Sequence, residues 1–206
     1  MNTNLLSFSG GIDSTTLLLE AIKKKDRIKL ITFDYGQTRS ELEQVNVIIN
    51  YLGLTDHIII DISKVISINP NSIIIPNRNS IFINILWAHA LLIEGAVNIT
   101  IGATGTDYKI FPDCREEFFY KIEKVLNLAN PSKIIKIKRP FIDFKKSMVI
   151  IRLIALCKDL KIDHIVLLRM THSSYEDRIE GKSLFVQERA TAFKELGMID
   201  PLEITG

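Results

Sequence analysis

Two cysteines, Cys114 and Cys157, are all the thiol chemistry in this 206-residue chain, and they stand far apart with no C-x-x-C pair. That scarcity excludes a disulfide scaffold and a metal site built from cysteine alone. Long apolar runs are also missing. The greasiest stretch, residues 81–93, is interrupted by Asn84 and His89 and falls short of the ~20 residues a membrane-spanning helix needs. Neither sign of charge dominates: 26 basic against 24 acidic residues leave a formal net charge of +2. That balance gives no ground for nucleic-acid or membrane binding. Met1-Asn2-Thr3-Asn4 lacks the basic start and apolar core of a secretory signal, so a cytoplasmic protein is expected. The four histidines, His57, His89, His164 and His172, show no ligand spacing. With 47% apolar and 24% charged residues over this length, one buried core and one domain, 1–206, are expected.

What is present is an alternation of short apolar runs and helical spacing. Residues 5–8 form an apolar run ending at a Gly-Gly turn, and Leu17, Leu18, Leu19, Ala21 and Ile22 follow at helical positions. Residues 28–33 predict a second strand, 39–53 a helix stopped by Gly53, and 58–60 a third strand. An irregular stretch, 63–79, carries Pro70 and Pro76 and has the length of a lid or binding loop. Helices are then predicted over 81–94, 115–129, 145–158 and 184–196, with strands at 97–101 and 134–137. Strands alternating with helices predict an α/β fold, a doubly wound parallel sheet with helices on both faces and a small C-terminal helical segment. Ligands in such sheets sit beyond the carboxyl ends of the strands.

Phe8 leads into the segment with the most chemistry, Ser9-Gly10-Gly11-Ile12-Asp13-Ser14-Thr15. Paired glycines allow a sharp turn that brings amide N–H groups near an anion. The helix that follows adds its unpaired N–H groups and the positive end of its dipole. Ser9, Ser14 and Thr15 can donate hydroxyl hydrogen bonds to phosphate, while Asp13 orients the loop or holds a magnesium ion bridging phosphates.

The Ser-Gly-Gly-x-Asp-Ser pattern resembles the pyrophosphatase-loop family of ATP-cleaving ligases and tRNA-modifying enzymes. Four further segments narrow the likeness: 32–37 (Thr-Phe-Asp-Tyr-Gly-Gln), 76–79 (Pro-Asn-Arg-Asn), Asp107-Tyr108 with 111–118 (Phe-Pro-Asp-Cys-Arg-Glu-Glu-Phe), and 140–146. Together they are similar to the 7-cyano-7-deazaguanine synthase family over nearly the whole chain. The resemblance implies a Rossmann-like nucleotide-hydrolase fold. It also implies ATP and Mg2+ as cofactors, ammonia and a deazapurine carboxylate as substrates, and a homodimer. In such an enzyme the carboxylate is adenylated, ammonia displaces AMP to give an amide, and a second ATP drives dehydration to the nitrile. Positioning and charge stabilisation are then the protein's main contributions.

On this resemblance Lys146 neutralises charge between the α-phosphate and pyrophosphate, with Lys145 the competing candidate, and Arg78 grips a phosphate or the substrate carboxylate. Asp34 and Tyr35 fall where related folds hold adenosine. Carboxylates accept from the N–H edge of a guanine-like base. Asp107, Asp113 and Glu117 are therefore the base-reading candidates, Asp113 first, beside Tyr108 and Arg115. Cys114 reads as a packed thiol.

The chain departs from the family at a zinc site of four cysteines, whose positions hold Ser174, Glu180, Ser183 and Val186. No thiolate remains and valine binds no metal, so no zinc is expected. Lys109, Ile110 and Phe111 replace the family's Ser-Gly-Tyr, which opens an alternative product, the amide. Two further readings stand beside these. A tRNA thiolase or lysidine-type ligase needs RNA-binding surface or cysteine pairs, which the chain lacks. A diverged nucleotide-binding protein without catalysis is the other.

Overall fold

A computed structural model describes residues 3–37, 39–66, 75–171 and 184–203. The first apolar run forms β1 (Thr3–Ser7), and the glycine turn leads into α1 (Ile12–Lys23). β2 (Arg27–Asp34), α2 (Arg39–Tyr51) and β3 (His57–Asp61) repeat the unit. Then come α3 (Arg78–Leu92), β4 (Val97–Thr100), the short α4 (Asp107–Ile110) and a 3-10 turn at Pro112–Cys114. The chain continues through α5 (Glu116–Ala129), β5 (Lys136–Lys138), α6 (Lys146–Leu160), α7 (His164–Met170) and α8 (Leu184–Glu195) to a 3-10 turn at Pro201–Glu203.

All strand pairings are parallel, in the order β3-β2-β1-β4-β5. The expected α/β parallel sheet is the fold observed. The chain winds outward from β1 to β3, then crosses back to place β4 on the other side of β1. The carboxyl ends of β1 and β4 therefore flank a crevice at the point where the winding reverses, the usual ligand position in such sheets. Helices cover both faces, so adjacent residues of one strand enter different cores. Leu6 and Leu30 join the cluster of Leu18, Leu153 and Phe193. Leu5 and Ile31 join that of Trp87, Ile83 and Phe119.

Several expected boundaries move for local reasons. α3 begins at Arg78, three residues earlier than its apolar spacing suggests, because Asn77 takes a left-handed φ of 56° and turns the chain into the helix. β5 loses residues 134 and 135 from its start, where the Asn127 side chain pairs with both Ile135 N–H and Ile135 C=O at 3.0 and 2.9 Å. α7 escaped the apolar pattern. It is set by Asp163, whose carboxylate accepts from Ile165 N–H and Val166 N–H. The C-terminal helix closes at Gly197 as its sequence implies, with a φ of 64° and Gly197 N–H donating to Lys194 C=O. The central part of the expected irregular loop, with Pro70, lies outside the described residues, as do Ser174, Glu180 and Ser183. No helix among the described residues is long and apolar enough to cross a membrane.

α8 is tied down by a buried arginine. Arg189 forks onto Asp200 at 2.6 and 2.8 Å and donates to Thr171 C=O, Thr171 Oγ1 and Leu168 C=O. Satisfying a buried guanidinium this fully is what makes its burial tolerable. The network fixes α8 against α7, and so places the face of α8 that reaches the crevice.

Candidate active site

The loop after β1 is built by its own small polar residues. Gly10 sits at φ 76°, where an added Cβ would lie 3.1 Å from Val45 Cγ2. Ser9 N–H donates to Ser14 Oγ, Gly11 N–H to Ser9 Oγ, and Ser14 Oγ–H to Gly11 C=O. The serines thus hold the turn open while the start of α1 presents its first amides to the crevice, because Gly11 at the N-cap supplies no side-chain cap. Gly102, just past β4, lets that helix start approach closely; a Cβ there would lie 3.3 Å from both Asp13 Cβ and Ser14 N.

α6 packs along α1 with its first residue beside the same loop. Lys146 Nζ lies 2.5 Å from Asp13 Oδ2 and 3.6 Å from Glu188 Oε2 of α8, and all three side chains are largely buried. A lysine at the positive end of a helix opposes the dipole, so this placement is set by the three carboxylates around it. Burial disfavours the Lys146 charge, but Asp13, Glu188 and Asp107 together hold its pKa above the ordinary lysine value. For Asp13, burial pushes the carboxyl up to about 6, Lys146 opposes the rise, and Asp107 and Glu188 reinforce it. Asp13 Oδ1 and Glu188 Oε1 are buried with no hydrogen-bond partner among the described residues. Asp107, at the start of α4, accepts from Thr104 N–H and Oγ1, both at 2.8 Å.

These residues line a cavity of about 220 Å³ at the carboxyl ends of β1, β2 and β4. Its far wall is aromatic: Phe33 stacks on Phe82 at 4.1 Å, and Tyr35 tilts against Phe82 at 5.7 Å. The Arg78 guanidinium lies over the rings of Tyr35 and Phe82 at 5.9 and 5.8 Å. One cavity therefore joins an anion-binding loop, a cation at a helix start and a flat apolar wall with an arginine at its edge.

Of the residues singled out from the sequence, Phe8, Ser9, Gly11, Asp13, Ser14, Tyr35, Arg78, Asp107 and Lys146 line this cavity. Gly10 shapes the loop from behind. Thr15, in the first turn of α1, is buried with its hydroxyl unpartnered among the described residues. Asp34 closes the turn after β2 by accepting from Gly36 N–H. Lys145 is the N-cap residue of α6 and lines a neighbouring cavity with Tyr108.

Asp113, Arg115 and Glu117 line neither cavity. The Asp113 carboxylate accepts from Asn79 N–H at 3.0 Å, holding the first turn of α3. Glu117 is exposed and pairs with Lys121 one helical turn on. Cys114 is buried, with its thiol pushed up to about 12 by burial and then by Asp107 and Asp113, the packed thiol its sequence context suggested. Phe185 and Glu188 of α8 line the cavity without having been singled out, and Gln37 and Asn79, the last residues of two quoted segments, line it without having been given a role. The trace they left is faint: a glutamate on the helix face that also carries Phe185 and Ala192.

The family model for the queuosine biosynthesis protein QueC matches residues 3–74 and 64–197. A 7-cyano-7-deazaguanine synthase of Helicobacter pylori is 36% identical, covering 83% of this chain and 82% of that protein. Another from Pelobacter propionicus is 31% identical over 97% and 96%. One from Wolinella succinogenes reaches 38% over 64% of this chain and 65% of its own length. Among solved structures, NMN synthetase from Francisella tularensis superposes with a TM-score of 0.55 at 14% identity, covering 95% of this chain and 77% of that one. The NH3-dependent NAD synthetase of Campylobacter jejuni gives 0.51 at 14%, covering 99% and 88%. Those two likenesses speak for the fold. With sequence matches that run almost from end to end, the chain belongs to the QueC family of queuosine biosynthesis proteins.

Proposed function

We propose that this protein is an ATP-dependent, AMP-forming carbon–nitrogen ligase that converts 7-carboxy-7-deazaguanine and ammonia to 7-cyano-7-deazaguanine. The observation that carries the reading is Lys146 held at 2.5 Å from Asp13, at the mouth of a loop whose amides face the same cavity. The relatives' activity supplies the substrate class. A carboxylate is a poor electrophile, and adenylation makes its carbonyl attackable. A carboxylate oxygen attacks the α-phosphorus and pyrophosphate leaves. Ammonia then adds to the carbonyl carbon, loses a proton, and AMP departs to give the amide. The amide oxygen attacks a second ATP in the same way, and loss of AMP and protons leaves the nitrile.

In this scheme the Ser9–Ser14 turn and the start of α1 hold the β- and γ-phosphates. Lys146 opposes the negative charge that builds between the α-phosphorus and the departing pyrophosphate. Arg78 holds a phosphate at the aromatic edge. The Asp13 oxygen without a donor suits a Mg2+ ion held jointly with phosphate oxygens, since Mg2+ uses few protein carboxylates and keeps substrate and water ligands. Bound there, the ion would neutralise phosphate charge. For zinc the donor set does not fit: serine, glutamate, serine and valine offer no thiolate. One domain acting as a cytoplasmic homodimer, without nucleic acid or membrane, completes the reading.

Incubation with ATP, Mg2+, ammonium and the carboxy-deazaguanine, followed by mass and AMP release, tests it. Nitrile supports the proposal; no AMP refutes it in favour of a non-catalytic homologue. One observation favours a second product. Phe111, standing where the resemblance has a tyrosine, stacks on Phe185 at 6.1 Å and offers no hydroxyl to reposition an amide. An enzyme that stops at the amide would accumulate that mass with one AMP per turnover.

A further inference from the structure

A second, larger cavity of about 580 Å³ lies on the other side of Lys146, between the turn at Thr106–Ile110, the segment entering α6 and α8. Four residues belong to both cavities: Asp107, Lys146, Phe185 and Glu188. The lysine assigned to the reacting phosphate thus stands in a shared wall, with the phosphate loop on one side only. Displacement at phosphorus runs in line, the attacking oxygen entering opposite the leaving one. With pyrophosphate held by the loop, the second cavity gives a carboxylate a side from which to enter opposite the leaving group.

The two cavities differ in chemistry. The nucleotide side offers backbone amides, serine hydroxyls and Arg78. The second cavity carries the carboxylates of Asp107, Asp143, Glu188 and Glu195 against Lys109, Lys145 and Lys146, and Lys146 is already engaged by Asp13 and Glu188. Acceptors are in excess there, a poor setting for phosphate and a good one for a ligand rich in N–H groups. Glu195 Oε2 takes the Ser147 hydroxyl at 2.7 Å, but Glu188 Oε1 is a buried acceptor with no donor among the described residues. Such an atom costs free energy until a ligand supplies a hydrogen. Tyr108, Phe144 and Phe185 add aromatic surface. The volume falls within the ~300–1,000 Å³ typical of small-molecule pockets and far exceeds the ~30 Å³ of a water-sized molecule such as ammonia.

We propose that this second cavity is the acceptor site: it takes a flat, N–H-bearing heteroaromatic carboxylate, Glu188 accepting from the ring edge while the carboxylate points to Lys146. The inference rests on the ligase reading and adds to it which cavity holds which substrate. α8, far from the phosphate loop in sequence, then becomes the specificity element.

Thr191 is an exposed residue of α8 on the rim of this cavity, so Thr191→Trp fills the space without touching the core. The expected result is a KM for the deazaguanine carboxylate raised tenfold or more. Affinity for a non-hydrolysable ATP analogue and the KM for ammonium should stay within twofold. An unchanged carboxylate KM overturns the assignment. A rise confined to ammonium makes the cavity an ammonia passage instead, and a loss of nucleotide affinity makes it part of the ATP site. Calorimetric titration of the carboxylate into both proteins, with the ATP analogue present, reads the same question without turnover. Binding by the wild type that Thr191→Trp weakens, with no AMP released by either, would sink the ligase reading and leave the acceptor site standing.

Discussion

Asp13 is the residue on which opposing electrostatic effects are most evenly matched, and the sign of its titration is measurable. An ordinary ion pair with Lys146 would lower its pKa and make the protein lose stability in acid. Here burial outweighs the lysine, and the carboxyl is pushed up from 3.8 to about 6. A group with a raised folded pKa contributes stability that is fully present below its unfolded pKa and lost as pH rises through the folded one. The part of that stability gained between pH 7.5 and pH 5 is on the order of 1 kcal/mol. The perturbation is Asp13→Asn, with urea unfolding of both ligand-free proteins across that range. Breaking the contact with Lys146 shifts the two curves by a constant, because the lysine stays charged throughout. The difference between the curves should therefore change with pH, the wild type gaining on the order of 1 kcal/mol on the variant as pH falls from 7.5 to 5. With a slope in urea of ~2 kcal/mol/M, that is a relative midpoint shift of about half a molar. A pH-independent difference, or a wild type that loses ground in acid, would refute the argument that burial dominates at this site.

Four further outcomes are expected. Lys146→Ala should lower the rate of AMP release by ~10²–10³ or more, the loss usual for a preorganised electrostatic contact; a wild-type rate with wild-type nucleotide affinity would remove it from the chemistry. Gly10→Ala should cost at least ~1–2 kcal/mol in a urea midpoint series, from the left-handed backbone alone, and should weaken nucleotide binding because Val45 Cγ2 blocks the new methyl. Arg189→Ala leaves Asp200 buried without its cation, with Leu202 N–H still donating to it, and should destabilise by ~3–5 kcal/mol, read by thermal melting. Extended treatment with a zinc chelator should leave the melting temperature unchanged; a fall of several degrees would mean that the C-terminal segment is held by metal after all.

The loop from Ser9 to Thr15, the strand before it and the helix after it were legible in the sequence, because every feature involved is local. Glycines permit the turn, a period of 3.6 residues marks α1, and an apolar run feeds it. The parallel sheet followed from the same alternation of short runs and helices, and its crevice from where the loops fall. Boundaries slipped where one side chain overruled the pattern, as Asn127 does at Ile135 and Asp163 at α7. Asp113 shows what a segment alone does not carry: that its Oδ2 takes Asn79 N–H at the start of α3 is a contact only the tertiary structure makes. Only the tertiary structure brought Lys146 to Asp13, 133 positions away, and added Glu188 from a helix whose place depends on Arg189 and Asp200. Spacing along a chain encodes which face of an element is apolar. It carries no record of which faces meet, and at this site the charge balance is made by side chains from separate elements that share one buried space.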